Sequence, residues 1–197
     1  TPKEVQHSEE RRRRMKDTMR EGIEYVHRYR VPENKTVPYI YPEAHVFQEM
    51  PKVFATGFMV ALIEWACIEA MAPHMEPGHG SVGTLINFTH SAATPPGMEV
   101  TVHVRCTRVD GQRTTWEIEA RDEVEVISTG THERFSIDFA RFNARVAKKA
   151  GAWGQVLNLD IAQFLVSSET RGKSLMRISP RSAVTHHCPQ KQKAQRN

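Results

Sequence analysis

The sequence predicts an α+β domain in which one long central helix is wrapped by a curved antiparallel β-sheet. Three observations predict it. Phe54 to Met71 runs without a proline and is apolar on nearly every face, the pattern of a helix enclosed by other structure. Four strand-like runs follow, and two of them alternate apolar and polar residues with period two, as a sheet with one wet face requires. Asp110-Gly111 lies between those two runs and is a turn signal joining antiparallel neighbours.

Taken in order, residues 1–20 are almost wholly charged or polar and lack an apolar face, so a solvated arm is expected there, with Ser8-Glu9-Glu10 its one helix-start signal. From Gly22, the residues Ile23, Tyr25, His27 and Tyr29 alternate with Glu24, Val26, Arg28 and Arg30, which reads as a strand ending before Pro32. Lys35 to Tyr41 reads as a short extended piece around Pro38, and a loop leads on to Pro51. The long helix carries Phe58, Met59, Val60, Leu62, Ile63, Trp65, Cys67, Ile68 and Met71, and Ala72-Pro73 stops it. Ser81 to His90 is the next strand, with a loop at Pro95-Pro96-Gly97. Met98 to Val109 sets Val100, Val102, Val104 and Cys106 against Thr101, His103, Arg105 and Thr107. Beyond the turn, Thr114, Trp116, Ile118 and Ala120 share one face, and Val124 to Phe139 forms a last run in which Gly130 marks an expected bulge. One strand, a long helix and four strands is the order of the hot-dog fold, placed here on residues 21–150. In the extension 151–197, Val156, Leu157, Leu159, Ile161, Phe164 and Leu165 suit a further docking helix. Disorder is expected beyond Ser167.

The chain has 197 residues, 39% hydrophobic and 25% charged, enough for one domain with a core and tails. Its net charge of +4 invites a nucleic-acid reading, but the charge is unevenly placed. Residues 171–197 carry +7 and residues 1–170 carry −3, so the body offers no basic surface by composition and nucleic acid is an unlikely partner. Glu64 and Glu69 interrupt the longest apolar stretch, so no membrane span is expected. The chain opens polar and basic, without a secretion signal, and Cys67, Cys106 and Cys188 have no paired spacing; a reducing, cytoplasmic setting is expected. There is no phosphate-binding glycine motif and no cysteine pair for zinc. His74 and His79 are poorly spaced for a metal, and His186-His187-Cys188 lies in the tail. Neither a metal nor a cofactor is expected.

Three residues invite chemical readings. Glu64 has Val60, Ala61, Cys67 and Ile68 as its helical neighbours. A carboxylate so placed is either a buried base or nucleophile with a raised pKa, or an acid at a polar edge or subunit contact. Thr56, followed by Gly57 at the helix start, is either an N-cap or a hydroxyl beside free backbone N–H groups suited to a developing oxyanion. His90, at the end of its strand, is either a surface histidine or a proton carrier for a hydroxyl, a water or a leaving thiolate.

Residues 15–149 closely resemble the fluoroacetyl-CoA thioesterase family of bacterial hot-dog enzymes. The resemblance runs through Val53-Phe54-Ala55-Thr56-Gly57-Phe58-Met59-Val60, Glu64-Trp65-Ala66-Cys67, Ala70-Met71-Ala72-Pro73 and Glu76-Pro77-Gly78. It continues in Thr89-His90, Ala92-Ala93-Thr94-Pro95-Pro96-Gly97 and Gly130-Thr131-His132-Glu133-Arg134. The resemblance implies that Thr56, Glu64 and His90 form the catalytic set. It implies that Gly83 belongs to the active site, and that Arg134 lies near the CoA moiety as a fixed charge for phosphate or pantetheine. Two family phenylalanines forming a lid over a small acyl group fall on Phe47 and Met50, so the second is a flexible methionine and the pocket is expected to be looser.

Hydrolysis of a short acyl-CoA to a carboxylate and free CoA is the activity so implied. Thr56 and the Gly57 region would hold the carbonyl, Glu64 would attack it or activate water, and His90 would handle protons. Thr56 assisted by His90, or Glu64 through an anhydride, are alternative nucleophiles. Glu64 lies eight positions beyond Thr56, about 12 Å of helical rise, so each site is expected to combine residues from two subunits of a homodimer. An enoyl-CoA hydratase and a non-catalytic acyl-CoA sensor are the competing readings.

Overall fold

The computed structural model describes residues 15–153. The expected helix-start signal at Ser8-Glu9-Glu10, the docking helix at Val156 to Leu165 and the basic tail lie outside the described residues. The chain divides into two units, Thr1–Lys148 and Lys149–Asn197, and the first contains the whole sheet and the long helix.

Five strands form one antiparallel sheet. They are β1 (Glu24–Arg30), β2 (His79–Phe88), β3 (Glu99–Asp110), β4 (Arg113–Arg121) and β5 (Val126–Asp138), in the order β1-β3-β4-β5-β2. A four-residue helix α1 (His45–Gln48) precedes the long helix α2 (Thr56–Met71), and a further helix, α3, occupies 139–153.

The core lies between α2 and the inner face of the sheet. Val100, Val102, Val104 and Cys106 of β3 and Trp116, Ile118 and Ala120 of β4 are all buried, as their period-two spacing demands. They meet Met59, Leu62, Ile63, Ala66, Cys67, Ala70 and Met71 of α2. Each large side chain so buried is worth about 1.5–3 kcal/mol relative to exposure. The Trp116 indole N–H donates to Thr114 Oγ1 at 2.9 Å, which satisfies the one polar atom of the largest core residue. Thr56–His74 is long and apolar enough to cross a membrane by length and composition; its residues Met59 to Met71 are instead the core-facing helix just described.

Several local expectations are corrected. Lys35 to Tyr41 is not extended: single 3-10 turns occupy Glu33–Lys35 and Val37–Tyr39, because Pro38 sits where a turn's first N–H needs no partner. The loop before Pro51 contains α1. Residues 15–20 do not stand free: Met15 bridges Met75, Lys16 N–H donates to His74 O, and Met19 is buried. Gly130 is paired in unbroken register with Ile118 and Phe88, so it is not a bulge. It is glycine because its φ is +151° and a Cβ would strike the Asn87 carbonyl and Phe88. Register shifts fall instead between Gly83 and Leu85, Cys106 and Arg108, and Ala120 and Arg121.

Candidate active site

The first half of the site is built where the chain enters α2. Val37 N–H donates to Val53 O, Ala55 N–H to Lys35 O and Phe54 N–H to Thr94 O, pinning the helix start between two loops. Thr94 is itself held by Asp122, to which its hydroxyl donates at 2.9 Å. Burial would raise the Asp122 carboxyl, but the Glu125 and Val124 N–H groups and Thr94 outweigh it and hold the group below its usual range. Strand β2 ends at Phe88, two residues earlier than expected, yet Thr89 N–H and Ser91 N–H still donate to Thr129 O and Ile127 O. His90 is therefore fixed between two strand-like anchors.

These constraints place Thr56 Oγ1 2.8 Å from His90 Nδ1. Ala55, not Thr56, is the N-cap residue, so the threonine hydroxyl is engaged by histidine rather than by capping. Burial lowers the His90 pKa, with the Ala92 backbone opposing it, so the imidazole favours the neutral form. With the ring proton on Nε2, Nδ1 accepts the hydrogen bond that the threonine hydroxyl donates. Among the described residues, none hydrogen-bonds the buried His90 Nε2. Above the first turn, nothing occupies the space where a Cβ at Gly57 would project. The unpaired N–H groups of a helix N-terminus favour developing negative charge. Phe47 on α1 packs against Tyr41 at 5.8 Å between ring centroids, and Met50 is exposed nearby in sequence.

The second half is built around Glu64, one face further along α2. Of the two readings of this carboxylate, full burial is not met: its side chain is 34% exposed and lies beside a cation, with Arg134 Nη1 3.5 Å from Oε1. Gly83 is glycine because a Cβ there would overlap that same oxygen. Arg134, which the resemblance sets near the CoA moiety, has a side chain 2% exposed, with Nη1 beside Glu64. It also donates from Nε to Ser81 Oγ and from Nη2 to Ser81 O, each at 2.9 Å. Burial pushes the Cys67 thiol up to about 12, which leaves it inert as a nucleophile.

Sequence reading missed His132 as part of this cluster. Its side chain is fully buried, with Nδ1 2.7 Å from Leu85 O and Nε2 3.1 Å from Arg134 Nη1 and 3.8 Å from Glu64 Oε1. The available signal was the i, i+2 spacing of His132 and Arg134, which puts both on one face of β5. Thr56 and His90 thus converge within one chain, and Glu64 belongs to a separate cluster with Gly83, His132 and Arg134. Among the described residues no group of three or more His, Cys, Asp or Glu side chains is arranged to hold a metal ion.

Comparison with known proteins places this geometry in context. Residues 38–140 match the family model of the fluoroacetyl-CoA-specific thioesterase. The fluoroacetyl-CoA thioesterase of Streptantibioticus cattleyicolor is 54% identical over 138 residues, covering 70% of this chain and 99% of that protein. A solved structure of a fluoroacetyl-CoA thioesterase is 53% identical with a TM-score of 0.66, covering 68% of this chain and 98% of that one. A Thermus thermophilus member of the thioesterase superfamily is 26% identical with a TM-score of 0.62, covering 71% and 98%. A hot-dog-like protein from Thermanaerovibrio acidaminovorans, 22% identical with a TM-score of 0.56 over 66% and 91%, shares the fold.

Proposed function

Since the chain belongs to the family of fluoroacetyl-CoA-specific thioesterases, and so hydrolyses acyl-CoA thioesters, we propose that it acts on short acyl groups as a homodimer whose sites combine Thr56 and His90 of one protomer with Glu64 of the other. The observation that carries this reading is the 2.8 Å contact between Thr56 Oγ1 and His90 Nδ1, with Glu64 placed instead beside Arg134 and His132. His90 Nδ1 takes the hydroxyl proton as Thr56 Oγ1 attacks the thioester carbonyl. The C–S bond breaks, His90 returns the proton to the departing CoA thiolate, and an acyl-threonine remains. The first N–H groups of α2 face the carbonyl oxygen as it becomes negative. Glu64 of the second protomer then takes a proton from water as the water oxygen attacks the acyl-threonine. The ester C–O bond breaks, that proton passes to the departing Thr56 Oγ1, and the acid leaves and ionises in solvent, restoring Thr56 and Glu64.

Two features support assembly across protomers. Among the described residues β2 is an edge strand, paired only with β5, and exposes Leu85 and Ile86; an open apolar edge is a pairing surface. His90 Nε2, buried and unpartnered in the single chain, suits a second carboxylate as its neighbour. Met50 replaces a bulky lid residue and leaves the acyl pocket more adaptable, so acceptance of unfluorinated short acyl groups is expected.

Complementation tests the shared site. His90→Ala and Glu64→Gln each abolish turnover of acetyl- and fluoroacetyl-CoA, Glu64→Gln after at most one equivalent of thiol. Mixing the two inactive proteins and allowing exchange restores about a quarter of wild-type activity, because mixed dimers carry one intact site. No recovery despite confirmed exchange, or substantial activity in Glu64→Gln alone, would sink the assignment.

A further inference from the structure

The cluster beneath Glu64 poses a physical problem. An arginine beside a carboxylate ordinarily forms a two-pronged pair in which both oxygens accept N–H bonds. A carboxylate so held is a poor base, since proton uptake must break that pair. Arg134 does not form it here: only Nη1 approaches Glu64, and at 3.5 Å.

The reason lies on the strands. The Leu85 carbonyl can only accept, so His132 Nδ1, 2.7 Å away, carries the ring proton. Arg134 can only donate, so Nε2 of the same ring, 3.1 Å from Nη1, presents its lone pair. These two contacts fix one neutral tautomer. Burial, foremost, disfavours protonation of His132, and the Arg134 charge acts in the same sense, against the Leu85 carbonyl, Glu64 and Glu133. Together with Ser81 Oγ and Ser81 O, the His132 lone pair engages Nε, Nη2 and Nη1 of the guanidinium. Every one of those acceptors is anchored to β2 or β5, and none sits on α2.

We propose that His132 is a positioning residue whose unprotonated Nε2 holds Arg134 back from Glu64, keeping the carboxylate charge-compensated but free to accept a proton. This rests on Glu64 being the catalytic carboxylate. In the hydrolytic cycle the effect belongs to the step in which Glu64 deprotonates water. Binding of the thioester does not depend on it.

Two substitutions separate the ring's two contacts. In His132→Asn the amide N–H occupies the Nδ1 position toward Leu85 O, but nothing replaces Nε2. In His132→Gln the longer amide oxygen reaches the Nε2 position. Steady-state kinetics on acetyl-CoA should show kcat reduced about ten- to a hundredfold in His132→Asn, with KM falling alongside it so that kcat/KM stays within about twofold of wild type. His132→Gln should recover most of the lost kcat. Adding His132→Asn to Arg134→Gln should lower kcat no further, because the two act through one contact, whereas an unrelated packing defect would multiply. Wild-type kcat in His132→Asn, full multiplication in the double variant, or a folded His132→Gln as impaired as His132→Asn would each overturn the proposal. If melting curves show that His132→Asn does not fold, the folded His132→Gln decides alone: near-wild-type kcat supports the acceptor role, and a loss beyond tenfold refutes it. Glu64→Gln reports separately, since activity retained there removes the underlying assignment whatever His132 does.

Discussion

Gly83 and Glu64 compete for one small volume, and that competition explains why a strand residue has no side chain. The backbone at Gly83 lies outside the left-handed region, so alanine is conformationally permitted; only the Glu64 oxygen and His132 Cε1, 3.0 Å from the added carbon, oppose it. Gly83→Ala is therefore expected to fold normally and to displace the carboxylate, lowering kcat about a hundredfold. Unchanged kcat with an unchanged melting curve would mean that the position of Glu64 is not critical. Residue types at this scale were legible before the structure: Thr56, Glu64 and His90 stood out by their helical or strand-end positions. The partners of those residues were not. His132 and Arg134 look like alternate residues on a strand, and nothing local says that a carboxylate from α2 lies over them.

The element that matters most for assembly is β2. A strand paired on one side only, carrying exposed Leu85 and Ile86, exposes unpaired backbone groups beside apolar side chains. In the proposed homodimer, pairing with the same strand of a second copy would satisfy both. Ile86→Lys places charge on that edge and is expected to shift the protein to monomer in analytical ultracentrifugation, with thiol release falling in parallel. A dimer that persists with full activity would place the interface elsewhere. The strand's register was not legible in advance. Gly83 faces Arg134 just before the register shift, and just after it Leu85 faces Glu133, with its carbonyl 2.7 Å from the neighbouring His132 Nδ1. A bulge was expected at Gly130 because glycine within a strand often marks one, but close approach of Asn87 and Phe88 is the competing reason and it prevails there.

Across the whole molecule, burial of histidine sets the response to acid. His74, His90 and His132 all have pKa values lowered in the folded state, with burial the leading cause in each. The unfolded chain therefore binds protons first as pH falls through about 6.5, and stability declines from there toward the lower folded values. Asp122 and Asp138, held below their usual range, lose their contribution only in a more acidic window. Melting temperature is expected to fall between pH 7.5 and 5.5, and a constant or rising value would contradict neutral burial of these rings. The −3 charge of residues 1–170 bears on the substrate as well: with Arg134 buried, the body has no net positive field to attract an anionic CoA ester.

By itself the sequence determined the order of elements, the enclosed helix, the alternating core of β3 and β4 and the three reactive residue types. These follow from short-range physics: period 3.6 or period 2 assigns a residue to a face whatever lies opposite. Only the tertiary structure decided which atoms meet. Thr56 reaches His90 because Thr94 anchors the helix start. Arg134 turns to Ser81, 53 positions away, because β2 and β5 pair with Ser81 opposite Ser136 and Gly83 opposite Arg134. Such contacts depend on the relative placement of distant segments, and one residue of slip would send each of these side chains to the other face of the sheet.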